Sequence, residues 1–436
     1  MTLRLQSQPL AKSEQTKASL RVTREKRKNQ RCRVYELKLD KSHLAQETLT
    51  HLQTLFLQAK WFVNAVIESK DIFAFDTKVK EVGVKVGETY ETRTLSLLSS
   101  QMKQGLLTQI QLDIRNLAKK KAKGYKVGQL KFKTSVHSIP LKQYDNTYAI
   151  RQATNRVRIQ GLKKWLRVRG LQQIPENIEF ANAKLLQRHG DFYLHVTTYG
   201  SKQSTTVPER SIGLDFGIKH QLVLSNGIRV NYALLIPRRI RKLYRRLSKK
   251  QRGSKNYVKT KEDLHKAFRK WINRKRDVTN KLTRLLTTQY QIICFQDDPI
   301  ANWQRLWGRY IVNTNLGALL TNLKDRSVTP CVVDPWAATT KRCAACAYVL
   351  EHSLALSQRL FCCPKCGYKT DRDVNAAKSI EHLGLQLLNV DVPAGRRELT
   401  PLEMRTSTQM LVDLFNQVPF VWASTVAERG SLTASA

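Results

Sequence analysis

Four cysteines and a short aspartate run in the last quarter of the chain hold its most specific chemistry. Cys343-Ala-Ala-Cys346 and Cys363-Pro-Lys-Cys366 are two C-x-x-C knuckles separated by sixteen residues. Cysteines so spaced supply four thiolates to a single tetrahedral zinc ion. Four thiolates leave no open position for water, so one structural Zn²⁺ per chain is expected on Cys343, Cys346, Cys363 and Cys366. Thr370-Asp-Arg-Asp-Val-Asn-Ala-Ala377 follows directly. It reads as the start of a helix that delivers a carboxylate to a catalytic centre. A zinc ribbon alone suggests a nucleic-acid contact; a ribbon spliced into an acid-bearing fold suggests a nuclease.

The acids themselves can be ranked. Asp215 lies in Ile212-Gly-Leu-Asp215-Phe-Gly-Ile218, a Gly-flanked and otherwise apolar strand. A carboxylate there is costly to bury without a partner, and a metal is the natural one. Asp371 suits the N-cap of the following helix. Asp373, two residues further in and followed by the small pair Ala376-Ala377, is the better candidate to face a site. Phosphodiester hydrolysis by such acids uses two divalent cations roughly 3.5–4 Å apart. Hard oxygen ligands favour Mg²⁺. His220, His265 and His352 have no ligand-like spacing and read as ordinary polar positions or phosphate contacts.

Charge points to the partner. Lys and Arg number 76 against 34 Asp and Glu, a net charge of +42 over 436 residues. An excess of that size calls for a polyanion, since solubility needs far less. No apolar run approaches the ~20 residues of a spanning helix, and the first residues lack a signal peptide's apolar stretch. Cys32, Cys294, Cys331 and Cys362 are scattered, so the cysteines form a metal pattern of a reducing compartment and not a disulfide framework. The expectation is a cytoplasmic protein, or one associated with the nucleoid through its polyanionic partner, with no membrane partner and no small-molecule substrate.

The elements that must position these residues can be read along the chain. Residues 1–30 are basic with little periodicity and are expected to be flexible. A strand is expected over 31–39, then a long helix capped by Ser42 with Leu52, Leu55, Phe56, Ala59, Phe62, Val63, Val66 and Ile67 inward. A second helix runs from about Ser99 to Ala118 and leads into Lys119-Lys120-Lys121-Ala-Lys123-Gly124-Tyr125-Lys126, where a phosphate contact is at least as reasonable as a solvated face. Short strands from about 131 to 199 suggest a small barrel. In the second half, a strand bearing Asp215, an Asn226-Gly227 hairpin and its partner strands form a meander. A long basic helical region from 237 to about 289, a buried strand over 291–295, a helix near 315–326, a strand over 329–333, the ribbon and the Asp373 helix follow. That order is the order of an RNase H-like fold. From about 385 the pattern fades into a tail.

Gly213-Leu-Asp215-Phe-Gly-Ile-Lys219, the strand ending near 296–298, the cysteine pairs and Asp371-Arg-Asp-Val-Asn-Ala-Ala377 together resemble TnpB, the OrfB-type family of bacterial insertion sequences and a relative of type V CRISPR effectors. The resemblance covers roughly residues 30–385. It implies an α/β multidomain chain: a RuvC nuclease domain of RNase H-like fold (206–335 and 370–385) with an inserted zinc ribbon (336–369), preceded by a wedge β-barrel (31–42 and 125–205) interrupted by a helical recognition insert (43–124), with a tail over 386–436. It also implies an RNA-guided DNA endonuclease, with a guide (omega) RNA and a double-stranded DNA target next to a short motif as partners. Base pairing would read the target while the basic helices hold the heteroduplex. One position departs from the family. Gln296 stands where the family commonly has Glu, and an amide is a poor ligand for Mg²⁺. If the strand continues, Asp298 shares the face of residue 296 and Asp297 does not. The expected catalytic and Mg²⁺-binding set is then Asp215, Asp298 and Asp373, the alternative being a nuclease-inactive, RNA-guided DNA-binding protein of repressor type.

Overall fold

The computed structural model describes residues 12–69, 71–201, 207–355, 357–389 and 401–425, divided between two compact units, Met1–Ser204 and Thr205–Ala436. Among the described residues no helix is long and apolar enough to cross a membrane.

The first unit contains α1 (Lys12–Lys28), β1 (Gln30–Leu39), α2 (Gln46–Glu68), β2 (Glu81–Val86), β3 (Thr89–Thr94), α3 (Ser100–Ala122), β4 (Ser138–Leu141), β5 (Tyr148–Arg151), β6 (Arg156–Ile159), β7 (Leu166–Arg169), β8 (Glu179–Arg188) and β9 (Asp191–Ser201). Seven of these strands form one antiparallel sheet in the order β4-β8-β9-β1-β7-β6-β5. The sheet curls toward closure: the Tyr148 hydroxyl on the edge strand β5 donates to the Ala181 carbonyl of β8 at 2.8 Å. Alternation decides what lies inside, as in β6, where Val157 and Ile159 are buried and Arg156 and Arg158 exposed. α2 and α3 share that core through Leu52, Phe56, Phe62, Met102 and Leu106. Gly105 lets α3 approach β4, because a Cβ there would lie 2.8 Å from the Pro140 Cβ.

Three local expectations change here. Ser42 does not cap α2, whose N-cap is Ala45 without a side-chain bond; its hydroxyl donates instead to Asp40 at 2.8 Å. A hairpin, β2–β3, stands between the two helices, and its mostly exposed strands leave only a weak apolar alternation. Residues Lys12–Lys28 are helical, not irregular. A sequence with almost no apolar stripe hides that helix from periodicity, and pairing of Lys26 and Arg27 with Glu179 of β8 fixes it.

The second unit contains β10 (Ser211–Phe216), β11 (Leu222–Leu224), β12 (Ile228–Asn231), α4 (Arg238–Ser248), α5 (Lys255–Gln289), β13 (Ile292–Gln296), α6 (Ile300–Thr314), α7 (Leu316–Arg326), β14 (Thr329–Val333), β15 (Leu360–Cys362), β16 (Lys369–Asp371), α8 (Arg372–Leu387), α9 (Pro401–Asn416) and β17 (Trp422–Thr425). Its main sheet has the order β14-β13-β10-β11-β12-β17. β10, β11 and β12 form an antiparallel meander, while β13 and β14 run parallel to β10. Ile212, Leu214 and Phe216 face a core built with α5, α7 and α9. Gly213 and Asp215 therefore share the opposite face. α8 lies on that side: a Cβ on Gly213 would overlap the Ala377 carbonyl, and one on Gly384 would lie 2.5 Å from the Cys294 sulfur.

Here too the elements differ from expectation. The basic helical region breaks into α4 and α5 at Gly253, whose φ of +85° favours glycine, with Ser254 capping α5. α6 was not expected, and it is divided from α7 by Asn315 in the left-handed region. The expected tail is structured in part. α9, β17 and the turn between them supply Val412, Phe415, Val418, Val421 and Ala423 to the core, and β17 pairs with β12 to complete the sheet. A four-residue strand leaves too little pattern to see, and its reason for existing, an open edge on β12, lies some two hundred residues earlier in the chain.

Candidate functional site

Asp215 is half-buried near the carboxyl end of β10, on the side covered by α8. Its carboxyl is held well above the ordinary carboxylate range, first by burial and then by the like charges of Asp373 and Asp298; Arg372 opposes this and Asp371 adds to it. The fold therefore brings acids from β10, from the segment after β13 and from α8 into one electrostatic cluster. Among the described residues these carboxylates do not close to the spacing of the cysteine cluster, whose ligand atoms all lie within 4.8 Å of one another.

The two acids at the start of α8 have separate tasks. Asp371 Oδ1 accepts from the backbone N–H groups of Asp373 and Val374 at 3.1 and 3.3 Å, and its other oxygen pairs with Arg229 of β12. It is the N-cap. Asp373 lies half-buried in the first turn, with Arg359 at 3.7 Å.

β13 stops at Gln296, so the strand continuation that would place Asp298 on the face of residue 296 does not occur. Asp298 lies instead in the link to α6. Burial first, and then Asp297, raise its carboxyl to about 6, and its charge acts on Asp215. Asp297 is exposed and pairs with Lys324 of α7 at 2.6 Å. Gln296 is buried. Its Nε2 donates to the carbonyls of Asp334 and Ala337 at 3.0 and 3.2 Å, and its Oε1 accepts from the Thr339 hydroxyl at 2.9 Å. That amide is committed to the polypeptide beyond β14.

Glu381 of α8 is a further acid that sequence reasoning passed over. It accepts hydrogen bonds from Ser211 and Ser225. It cannot stand in for the absent Glu. It lies eight residues along α8 from Asp373, about 12 Å at the helical rise. Its partner Ser211 sits four residues before Asp215, about 13 Å along a strand.

The cysteines converge. Cys343 and Cys366 sulfurs are 3.7 Å apart and those of Cys346 and Cys363 are 3.6 Å apart. Zn–S bonds of about 2.3 Å place tetrahedral sulfurs roughly 3.8 Å apart, so the set can hold one zinc. Each knuckle makes the same turn. Cys343 N–H donates to Tyr348 and Ala347 N–H to Cys343; Cys363 N–H donates to Tyr368 and Gly367 N–H to Cys363. Ala347 and Gly367 both have positive φ, 61° and 72°.

The ribbon is bolted to the acid-bearing helix. Asn375 is fully buried; its Oδ1 accepts from Ala344 N–H at 3.0 Å and its Nδ2 donates to the Arg342 carbonyl at 2.7 Å. Ser379 donates to the same carbonyl at 3.0 Å. Sequence reasoning missed this joint. The available signal was a pair of polar residues four apart on a helix face otherwise made of Ala376, Ala377 and Ile380. His220 is half-buried, and among the described residues its Nδ1 has no hydrogen-bond partner. Burial first, then Arg229, lower its pKa, while Asp373 raises it.

Comparison with known proteins gives matches in both units of the chain. Residues 194–297 match a family described as "Probable transposase", and residues 320–380 match the "Cas12f1-like, TNB domain". The chain is 24% identical over 248 residues to a protein of Escherichia coli (strain K12) named "Putative RNA-guided DNA endonuclease InsQ", a match over 51% of this chain and 61% of that protein. It is 26% identical over 232 residues to a "Putative RNA-guided DNA endonuclease" of Streptomyces pristinaespiralis, over 50% of this chain and 57% of that protein. The chain thus spans about three fifths of the length of these relatives. A Cas12f1 chain solved in a complex with sgRNA and target DNA aligns over 77% of this chain and 83% of its own, with a TM-score of 0.43 at 14% identity. On its motifs, on both family matches and on these relatives, the chain is similar to TnpB, the OrfB-type family of insertion sequences.

Proposed function

We propose that this chain is an RNA-guided DNA endonuclease of a transposable element, with the second unit as a RuvC-type, RNase H-like nuclease domain carrying an inserted zinc ribbon. The observation that carries the reading is the cluster of Asp215, Asp298 and Asp373, drawn from three separate elements and raising Asp215 well above the ordinary carboxylate range. Arg372 and Arg359 offset these like charges only in part, since the Asp215 carboxyl stays raised, and a divalent cation is the fitting counter-charge. The donors are carboxylate oxygens, which suit Mg²⁺. Asp215, Asp298 and Asp373 would hold it, and when bound it would supply an activated water and neutralise charge on the scissile phosphate.

The residues around the acids orient them. Arg229 and the helix N-terminus fix Asp371, which in turn fixes the first turn of α8 and so the placing of Asp373. Asn375 and Ser379 tie that helix to the ribbon, so a zinc on Cys343, Cys346, Cys363 and Cys366 would hold the ribbon's contact with nucleic acid in register with the acids. In the first unit, the curled sheet, the helices α2 and α3 and the Lys119–Lys126 segment would form the wedge and recognition parts. The guide RNA and the double-stranded target account for the net charge of +42. Both curated relatives bear names of this activity.

The test is guided cleavage of a matched duplex in Mg²⁺ by the chain purified with its RNA. Asp215→Ala, Asp373→Ala and Asp298→Ala should each abolish cutting and leave guided DNA binding in place, while Asp297→Ala should cut normally. Equal cutting by the Asp297 and Asp298 variants would remove Asp298 from the site. A second reading, a guided DNA-binding protein that does not cut, is favoured by one observation: Gln296 occupies the usual Glu position with its amide already engaged. Guided binding by the parent chain without any Mg²⁺-dependent cutting would establish that reading.

A further inference from the structure

Trp336 is 84% exposed, more than any other large apolar side chain among the described residues. A single exposed apolar residue is ordinary. What sets Trp336 apart is the rigidity of the turn that displays it. Its own N–H donates to Asp334 Oδ1 at 2.7 Å, and Ala337 N–H donates to the Asp334 carbonyl at 3.1 Å. The two carbonyls that bracket the indole, those of Asp334 and Ala337, are both gripped by Nε2 of Gln296. Thr339, 3% exposed, returns a hydroxyl to Gln296 Oε1. One buried amide at the end of β13 thus pins the turn on both sides of the ring, and β13 leads within two residues to Asp298.

We propose that Trp336 is a stacking platform for an unpaired base of the DNA strand that approaches the acids, and that Gln296 serves as the clamp holding it. This rests on the nucleic-acid reading above. A flat π-face offered to water three residues past β14, at the end of the parallel strands from which Asp215 and Asp298 come, matches the sequence-tolerant way single strands are held. Charge favours a nucleic acid over a second copy of the chain. Residues 335–350 contain Lys341 and Arg342 and no acid, the Asp334 carboxylate of the turn is engaged by the Trp336 N–H, and two chains of net charge +42 repel one another. The clamp also explains why Gln is tolerated at position 296. A carboxylate there would face two carbonyl oxygens with nothing to donate.

The experiment uses the full chain in EDTA at moderate salt with oligothymidylate bearing 5-iodouracil. Irradiation should give a cross-linked peptide containing Trp336. Trp336→Ala should raise the dissociation constant about tenfold and Trp336→Phe by no more than about threefold, the range for one base on one ring. Gln296→Ala, which keeps the indole but frees the turn, should weaken binding about as much as Trp336→Ala. Unchanged affinity in Trp336→Ala while the oligonucleotide still binds would overturn the inference and leave the proposed function standing. Wild-type affinity in Gln296→Ala would overturn the clamp. A parent chain that binds no single strand would also overturn the inference, and the nuclease reading would still be decided by guided cleavage with the RNA-loaded chain. A change in sedimentation state caused by Trp336→Ala would assign the indole to contact between copies and would also overturn the proposal.

Discussion

Two polar regions meet at the first turns of α8, and they are built on opposite terms. On the ribbon side, Asn375, Ser379, Arg342 and Ala344 satisfy one another in a buried joint. On the acid side, burial and the charges of Asp373 and Asp298 hold the Asp215 carboxyl well above its ordinary range, and Arg372 compensates only in part. A satisfied buried network fixes geometry. An unsatisfied one stores the free energy that a ligand of opposite charge releases. The same helix carries both, so the rigid half aims the strained half.

The largest expected effect breaks the acid side. Asp215→Asn removes the charge at the centre of the cluster while keeping its shape. Guided cutting should fall by orders of magnitude, yet the metal-free protein should melt at a higher temperature than the parent at neutral pH. Raised carboxyls predict the sign of the pH dependence. A group whose folded pKa lies above its unfolded value binds more protons when folded, so its stabilising share is present in acid and lost as pH rises. For Asp298 that loss begins near the ordinary value of 3.8 and is nearly complete once the pH passes about 6. Metal-free parent protein should therefore lose stability between about pH 3 and 7, and Mn²⁺ or Mg²⁺ should raise its melting temperature more at pH 7.5 than at pH 5. An Asp215→Asn variant that cuts, or that melts lower than the parent, would undo the comparison.

Next comes the ribbon's metal. Cys363→Ser, or chelation of the parent, should unfold residues 336–369 and free the N-terminal end of α8, because structural zinc in small domains supplies on the order of 10 kcal/mol of folding free energy. Metal analysis should find one zinc per parent chain, and hydrogen exchange should report the ribbon's loss. A fully protected ribbon in zinc-free protein would show that the hydrogen-bonded joint suffices. Smaller again is the joint itself. Asn375→Ala leaves the Ala344 N–H without its partner and removes one of two donors from the Arg342 carbonyl, a cost of about 2–3 kcal/mol. Zinc content should be unchanged, which separates this effect from loss of the metal, and cutting should fall because Asp373 is no longer aimed.

What could be read in the sequence follows from how local each signal is. Asp215 stands out because a carboxylate inside Ile212-Gly-Leu-Asp-Phe violates a strand pattern within five residues. The cysteines stand out because each knuckle is a self-contained turn. The parts that escaped are held from far away. Gln296 looks like a lost ligand until its partners, 38 and 41 residues on, reveal a clamp. α9 and β17 look like a tail until the β12 edge is seen. α1 has almost no apolar stripe, its Leu20 and Val22 being exposed, and it is tied to Glu179, about 150 residues on. The link from β13 to α6 was misjudged because strand alternation was extended past the strand's last hydrogen bond.

The smallest effect sharpens the ribbon side from within. The two knuckles make the same turn, but its left-handed residue is Gly367 in one and Ala347 in the other. An L-residue with a Cβ is disfavoured in that region by about 1–2 kcal/mol. Glycine would relieve the strain but add entropy to the unfolded chain, offsetting about 0.4–1 kcal/mol. Ala347→Gly should therefore stabilise the zinc-loaded ribbon by about 0.5–1 kcal/mol, seen as slower zinc loss to a chelator with cutting unaltered. Gly367→Ala, the mirror experiment, should destabilise by a similar amount and speed zinc loss. If the first variant loses zinc faster than the parent, the Ala347 methyl is packed to advantage, and the two knuckles are not equivalent turns.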